Sequence, residues 1–308
     1  MSANDTRVLA YSSDAIGEAA RLILAGLPVA MPTETVYGLA ADATCGEAVA
    51  RIYQAKGRPS FNPLIVHVAG LEQAFRLAEF DDQARALAAL HWPGPLTLVL
   101  PSRAESPVAS LVTAGLPTIA VRAPAHPAMR ALHEAVGRPL AAPSANASGR
   151  ISPTRAEHVV ASLGGRIPLV VDAGPTAHGL ESTIVAATGG ALRLLRPGPI
   201  DLGLAAASGD AIEAPGQLAS HYAPAKPVRL GAVAAQAGEW LIGFGPVAGN
   251  ASLSPSGDLV EAAAALFERL HQAEAASQPF IAVAPIPDEG LGAAINDRLR
   301  RAAQGAAV

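Results

Sequence analysis

Apolar residues come in short blocks along the first two-thirds of the chain. "PVAMPT", "PLIVHV", "PLTLVLP", "TIAVRAP", "PLVVDA" and "STIVAA" are each too short for a helix and are bounded by polar or turn-forming residues, the pattern of buried strands. Between them, the segments around residues 14–25, 45–56, 81–91, 126–136 and 154–164 carry apolar side chains at helical spacing. "ISPTRAEHV" reads as a helix start, with Ser152 as cap, Pro153 in the first turn and Thr154 to Glu157 as a capping box. This alternation predicts an α/β domain over residues 1–200.

After "LLRPGPI" the pattern loosens. Residues 201–227 are rich in Gly, Ser and Pro and read as a linker. "GEWLIGF", a helix near 258–276, "PFIAVAP" and a helix near 290–303 then predict a small second α/β domain over residues 228–308.

The chain has 308 residues, half of them hydrophobic, enough for a sizeable core. No stretch approaches the roughly 20 uninterrupted apolar residues of a membrane span. The start "MSANDTRVLA" lacks the basic-then-apolar layout of a secretory leader, so a cytoplasmic location is expected. One cysteine, Cys45, excludes an internal disulfide framework and a multi-cysteine metal site. With a net charge of −4 and no basic run longer than "RLRR", stable nucleic-acid binding is not expected. A local basic pocket for a small anion stays open.

Only two of the 22 basic residues are lysines, Lys56 and Lys226. Lys56 stands two residues before Arg58 in "KGRPSFNPLIVHV", where Gly57 can end a helix and Pro59 and Pro63 keep the next residues extended. Two cations on a stiff loop suit a polyphosphate; they equally suit the C-terminal end of a helix dipole. His67, at the end of the following strand, reads by itself as a core histidine. "PTETVYGLAADA" sets hydroxyls and a carboxylate where a strand ends and Gly38 permits a turn. Arg122 interrupts the apolar strand "TIAVRAP", pointing either into a polar cavity or to solvent. "AAPSANASGRISP" runs a strand into small hydrogen-bonding groups, suited to an anion or to an ordinary turn. Ser182 opens the strand of "HGLESTIV", and Arg196 closes one in "LLRPGPI". Polar or cationic residues thus recur at strand ends beside Gly or Pro, which suggests one shared pocket. There is no P-loop, no G-x-S-x-G and no H-E-x-x-H; Gly243, Gly245 and Gly249 have the wrong spacing for a dinucleotide fingerprint.

Taken in order, "PTETVYGLAADA", "KGRPSFNPLIVHV", "HWPGPLTLVL", "TIAVRAPAHP", "APSANASGRISPT", "ESTIV" and "LLRPGPI" resemble the YrdC/Sua5 family over about residues 13–200. "HYAP" and "PDEGLGAAINDRLRRAA" resemble the longer, two-domain type. The resemblance implies a twisted mixed sheet with helices and a large concave cavity, plus a small Rossmann-like C-terminal domain. It implies an L-threonylcarbamoyladenylate synthase, a nucleotidyltransferase that uses L-threonine, bicarbonate and ATP, releases pyrophosphate and begins tRNA threonylcarbamoyladenosine synthesis. Mg2+ is expected on the ATP phosphates, and a tRNA-modifying transferase complex as downstream partner.

By resemblance, Lys56, Arg58, Asn62, Thr118, Ala142, Ser144, Asn146, Ser152, Arg196 and Tyr222 are expected to hold ATP, with Lys56 and Arg58 also acting in catalysis. Thr35, His67, Arg122 and Ser182 are expected around threonine. The family usually carries a methionine and basic residues before "HYAP", where this chain has "APGQLAS". Two competing readings are a direct RNA binder, disfavoured by the net acidity, and a carbamoyl-phosphate-using relative, whose expected zinc-finger segment one cysteine excludes.

Overall fold

The computed structural model describes residues 5–205, 213–215 and 221–305. The linker residues 206–212 and 216–220 lie outside the described residues. The first part of the chain contains β1 (Arg7–Ala10), α1 (Ser13–Leu24), β2 (Val29–Met31), β3 (Gly38–Asp42), α2 (Gly46–Lys56), β4 (Ile65–His67), α3 (Leu71–Leu77) and α4 (Asp82–His91). It continues through β5 (Leu96–Pro101), α5 (Ser110–Thr113), β6 (Thr118–Arg122), α6 (Pro127–Val136), β7 (Leu140–Ala141), α7 (Ala156–Leu163), β8 (Leu169–Asp172), β9 (Thr183–Ala186) and β10 (Arg193–Arg196). The remainder holds β11 (Val228–Leu230), β12 (Glu239–Gly243), β13 (Ala251–Ser252), α8 (Leu259–Ala275), β14 (Phe280–Val283) and α9 (Leu291–Gln304).

Strands β1 to β10 form one mixed sheet in the order β1-β8-β2-β3-β7-β4-β6-β5-β9-β10. Its central strands are buried along their whole length, which explains why they read as apolar runs without alternation. Strands β11 to β14 form a second sheet, all parallel, in the order β11-β14-β12-β13. Parallel pairing needs crossovers, and α8 supplies the one from β13 to β14.

Three local departures from the sequence reading have clear causes. "GLAAD" is strand β3, paired antiparallel with β2 and β7, rather than part of a turn; its small residues carry little strand propensity, and burial between neighbours decides the outcome. Helix α7 begins at Ala156 behind Arg155, with no side-chain cap, so Ser152 is not the cap; its hydroxyl bonds the Glu181 carboxylate instead. Gly243 closes β12, and Gly249 packs so tightly on β12 that a Cβ would lie 2.3 Å from the Leu241 carbonyl oxygen, so these glycines serve backbone packing.

The two sheets share a hydrophobic cluster in which Val36, Ile151, Leu180 and Tyr222 meet Leu266, Phe267 and Leu270 of α8. Gly179 (φ +66°) lets the "HGLEST" loop lie against α8, since a Cβ there would fall 2.4 Å from the Ala264 carbonyl oxygen. Arg155 pairs with Glu268 at 2.8 Å, and His271 Nε2 meets the Ser152 carbonyl at 3.1 Å. Within this contact the His158 and His271 rings stack at 3.7 Å.

Candidate active site

Parallel pairing of β4 with β6 sets His67 directly beside Arg122, so two polar side chains leave adjacent strands at the same level. Both are buried, and Arg122 is held on three sides. Its guanidinium donates to Glu34 Oε1 at 2.5 Å, to Thr35 Oγ1 at 2.9 Å and to the Gly94 carbonyl at 3.2 Å. Glu34, from the segment after β2, is half of a buried ion pair. Burial opposes its charge, but Arg122 more than offsets this and holds its carboxyl below the usual range. His67 is kept well below the usual imidazole value, by burial first and then by Arg122 and His133. It is therefore neutral at physiological pH.

Thr118 opens the strand that Arg122 closes, so roughly 13 Å separates the two along β6. The Thr118 end lies toward the Arg58 loop, because β4 runs parallel to β6 and follows that loop. Helix α2 ends at Gly57 in the left-handed conformation (φ +60°), as its sequence requires. Arg58 then folds back and donates to the carbonyls of Asn62 (3.1 Å) and Pro63 (2.8 Å). Burial pushes its pKa down to about 10.

On the other side, Ser182 precedes β9 and shares a 2.7 Å hydrogen bond with Thr97 of β5. Arg196, at the end of β10, donates to both the carbonyl and the hydroxyl of Ser182, each at 3.0 Å. Gly198 makes this approach possible, since a Cβ there would stand 2.5 Å from the Thr183 nitrogen. Arg196 is fully desolvated, and burial lowers its pKa.

These groups line one partly open cavity of about 40 Å³. Of the expected site residues, Thr35, Arg58, His67, Arg122, Ala142, Ser144, Ser182, Arg196 and Tyr222 line it. Lys56, Asn62, Thr118, Asn146 and Ser152 do not. Lys56 instead lies behind the wall, where its ammonium donates to the carbonyls of Ser144 (2.6 Å) and Asn146. Burial, then Arg58, holds its pKa well below the ordinary lysine value. Asn62 is fully buried, and neither its side-chain oxygen nor its nitrogen has a hydrogen-bond partner.

Residues outside the expected set also line the cavity: Thr33, Val36, Gly38, Ile65, Pro143, Glu181, Pro215 and His221. Glu181 was within reach of sequence reasoning, since it begins the quoted "ESTIV". Pro215 and His221 come from the linker and, with Tyr222, form part of the cavity wall. Tyr222 itself sits at φ +61°, packed on His221 and on Phe267 of α8.

Among the described residues three arginines and one carboxylate line the cavity, so its charge favours an anion. Three residues that line it carry buried polar atoms without partners: His67 Nδ1, His221 Nδ1 and the Tyr222 hydroxyl. Each such group costs about 1–3 kcal/mol unless a ligand or water satisfies it. A mixed α/β sheet that converges three arginines and orphaned polar groups on one pocket defines an anion-binding site.

The Sua5/YciO/YrdC family, described as "Telomere recombination", matches residues 21–198, and the "Threonylcarbamoyl-AMP synthase, C-terminal domain" family matches residues 183–304. The chain belongs to the YrdC/Sua5 family. It is 38% identical to the threonylcarbamoyl-AMP synthase of Bacillus subtilis, covering 98% of this chain and 97% of that protein. With the threonylcarbamoyl-AMP synthase of Pyrococcus abyssi it shares 40% identity over 92% of each chain. The crystal structure of P. abyssi Sua5 complexed with L-threonine superposes with a TM-score of 0.89, at 36% identity, covering 98% of both chains.

Proposed function

We propose that this protein is an L-threonylcarbamoyladenylate synthase, making threonylcarbamoyl-AMP and pyrophosphate from L-threonine, bicarbonate and ATP. The observation that carries this is the near-complete correspondence to threonylcarbamoyl-AMP synthases, including a threonine-bound structure, in a chain whose own cavity converges Arg58, Arg122 and Arg196.

Threonine is assigned to the end formed by Thr35, His67, Arg122 and Ser182. The ATP phosphates are assigned to Arg58 and Arg196, with Asn62, Thr118, Ala142, Ser144 and Asn146 toward the nucleoside. Lys56 holds the Ser144–Asn146 segment, and Ser152 acts through Glu181. The threonine amine takes up CO2 from bicarbonate to give a carbamate. A carbamate oxygen then attacks the α-phosphorus, the bond to the bridging oxygen breaks, and pyrophosphate leaves with the electron pair. The protein supplies positioning and charge compensation rather than a nucleophile, consistent with a cavity of arginines and hydroxyls. Mg2+ is expected to arrive on the ATP phosphates as part of the substrate; no protein ligand is assigned to it.

The cavity, at about 40 Å³, is smaller than a nucleotide, and movement of the linker residues Pro215, His221 and Tyr222 is the route proposed for widening it. Reclosure would keep water from the mixed anhydride. That product is an acyl donor too labile to store, which implies consumption by a tRNA-modifying transferase in the t6A route. No helix among the described residues is long and apolar enough to cross a membrane, and the cytoplasm is the expected compartment. The test is pyrophosphate release from ATP by the purified protein with bicarbonate, with and without threonine. Release that does not depend on threonine, or none from folded protein, would reject the assignment.

A further inference from the structure

Arg298 is the largest side chain that is fully buried, and it lies on α9, in the part of the chain that holds the second sheet. Its guanidinium reaches back into the first part. Nε meets Glu181 Oε2 at 3.1 Å, and Nη1 donates to the Pro197 carbonyl at 2.7 Å and to Asp297 at 3.1 Å. The face of the group lies 5.4 Å from the Tyr222 ring. Among the described residues Glu181 is the one carboxylate that lines the cavity, and its second oxygen accepts the Ser152 hydroxyl.

A carboxylate in a pocket built for polyanions is an electrostatic contradiction unless it is neutralised. Glu181 also acts on Arg196, which sits beside the same cavity wall. Left without Arg298, it would turn to Arg196 and compete with the incoming phosphates. Burial alone would push the Arg298 pKa down, but Tyr222, Glu181 and Asp297 together hold it above the ordinary value, so the cation is permanent.

We infer that Arg298 is a positioning residue of the active site: from the C-terminal domain it neutralises Glu181 and seats Tyr222, which keeps Glu181 from competing with the anionic substrate for Arg196. This gives the second domain a direct part in nucleotide binding, and it rests on the reading of the cavity as an ATP site. The second part of the chain thus supports the site through the Arg298 guanidinium, the Phe267 ring against Tyr222 and the His271 contact to the Ser152 carbonyl.

The test uses the full-length protein and ATP as probe, with affinity measured by calorimetry and folding by thermal melting. Arg298→Met is expected to weaken ATP binding roughly tenfold or more, the scale of one uncompensated buried charge. Adding Glu181→Gln to it keeps the hydrogen bond to Ser152, removes the stray charge and should recover ATP affinity to within about threefold of wild type. Arg298→Lys keeps the charge without the fork and should fall between. ATP binding by Arg298→Met equal to wild type, or a double variant as weak as the single one, would overturn the inference. If Arg298→Met does not fold, the double variant decides alone: wild-type-like ATP affinity supports the inference, and affinity lost tenfold refutes it. A wild-type protein that binds ATP yet shows no threonine-dependent pyrophosphate release would reject the proposed reaction while leaving this comparison readable.

Discussion

Replacing Lys56 by methionine separates two roles that look alike in sequence. Lys56 is 3% exposed, and its ammonium bonds two backbone carbonyls, those of Ser144 and Asn146, without a carboxylate partner. Methionine fills similar space but leaves both carbonyls unsatisfied, at about 1–3 kcal/mol each. Removal of a costly buried amine offsets part of that, for a net loss on the order of 3 kcal/mol. At about 2–4 °C per kcal/mol for a domain of this size, the melting temperature should fall by roughly 10 °C. The same change at Lys226, half-exposed and bonded to carbonyls at the end of α8, should lower it by only a few degrees. Thermal melting of the two variants, with ATP titrations on each, gives the comparison. A Lys56→Met protein that melts like wild type but has lost ATP binding would refute the staple and make Lys56 a phosphate ligand.

Two further outcomes follow from the geometry. Arg58→Ala should weaken ATP binding at least tenfold in calorimetry while lowering the melting temperature less than Lys56→Met. The reason is that the single Tyr53 O–H, 3.0 Å from both the Asn62 and Leu111 carbonyls, still reaches the Asn62 oxygen, so the main loss is at the Pro63 carbonyl. His271, flanked by His158, Glu268, Glu274 and the Ser152 carbonyl, has its pKa pushed down to about 4, chiefly by burial. The unfolded chain therefore binds more protons between pH 4 and 6.5, and the stability from the neutral ring, at most about 3 kcal/mol, is present above 6.5 and lost toward 4. Denaturant unfolding across that range should show a shallower pH slope in His271→Gln; an unchanged slope would refute this.

Local chemistry was legible wherever a residue's role is set by its immediate neighbours. Gly57 ends α2 in the left-handed conformation, and the apolar runs containing Ile65–His67 and Thr118–Arg122 are strands. Those features depend on backbone propensity and on burial of a continuous run, which a short window carries. Ser152 was misread because a hydroxyl before Pro153 has the form of a cap. Its actual partner, Glu181, is 29 positions away, and no window of sequence contains that pair.

Read alone, the chain carries six of the ten strands of the first sheet, the stiff Lys56–Pro63 turn and the residue types able to hold an anion, whereas β3, with its small residues, shows only in the fold. The fold alone decided which of them share a cavity. Parallel pairing of β4 and β6 puts His67 beside Arg122, whereas the same pairing leaves Thr118 a strand's length away. Lys56 stands two residues from Arg58 yet faces carbonyls behind the wall, because the end of α2 packs on the Ser144–Asn146 segment. Arg298 joins the site from 117 positions beyond Glu181. Such partners are chosen by packing two sheets together, and the free energy of burying a charge then fixes which groups must meet.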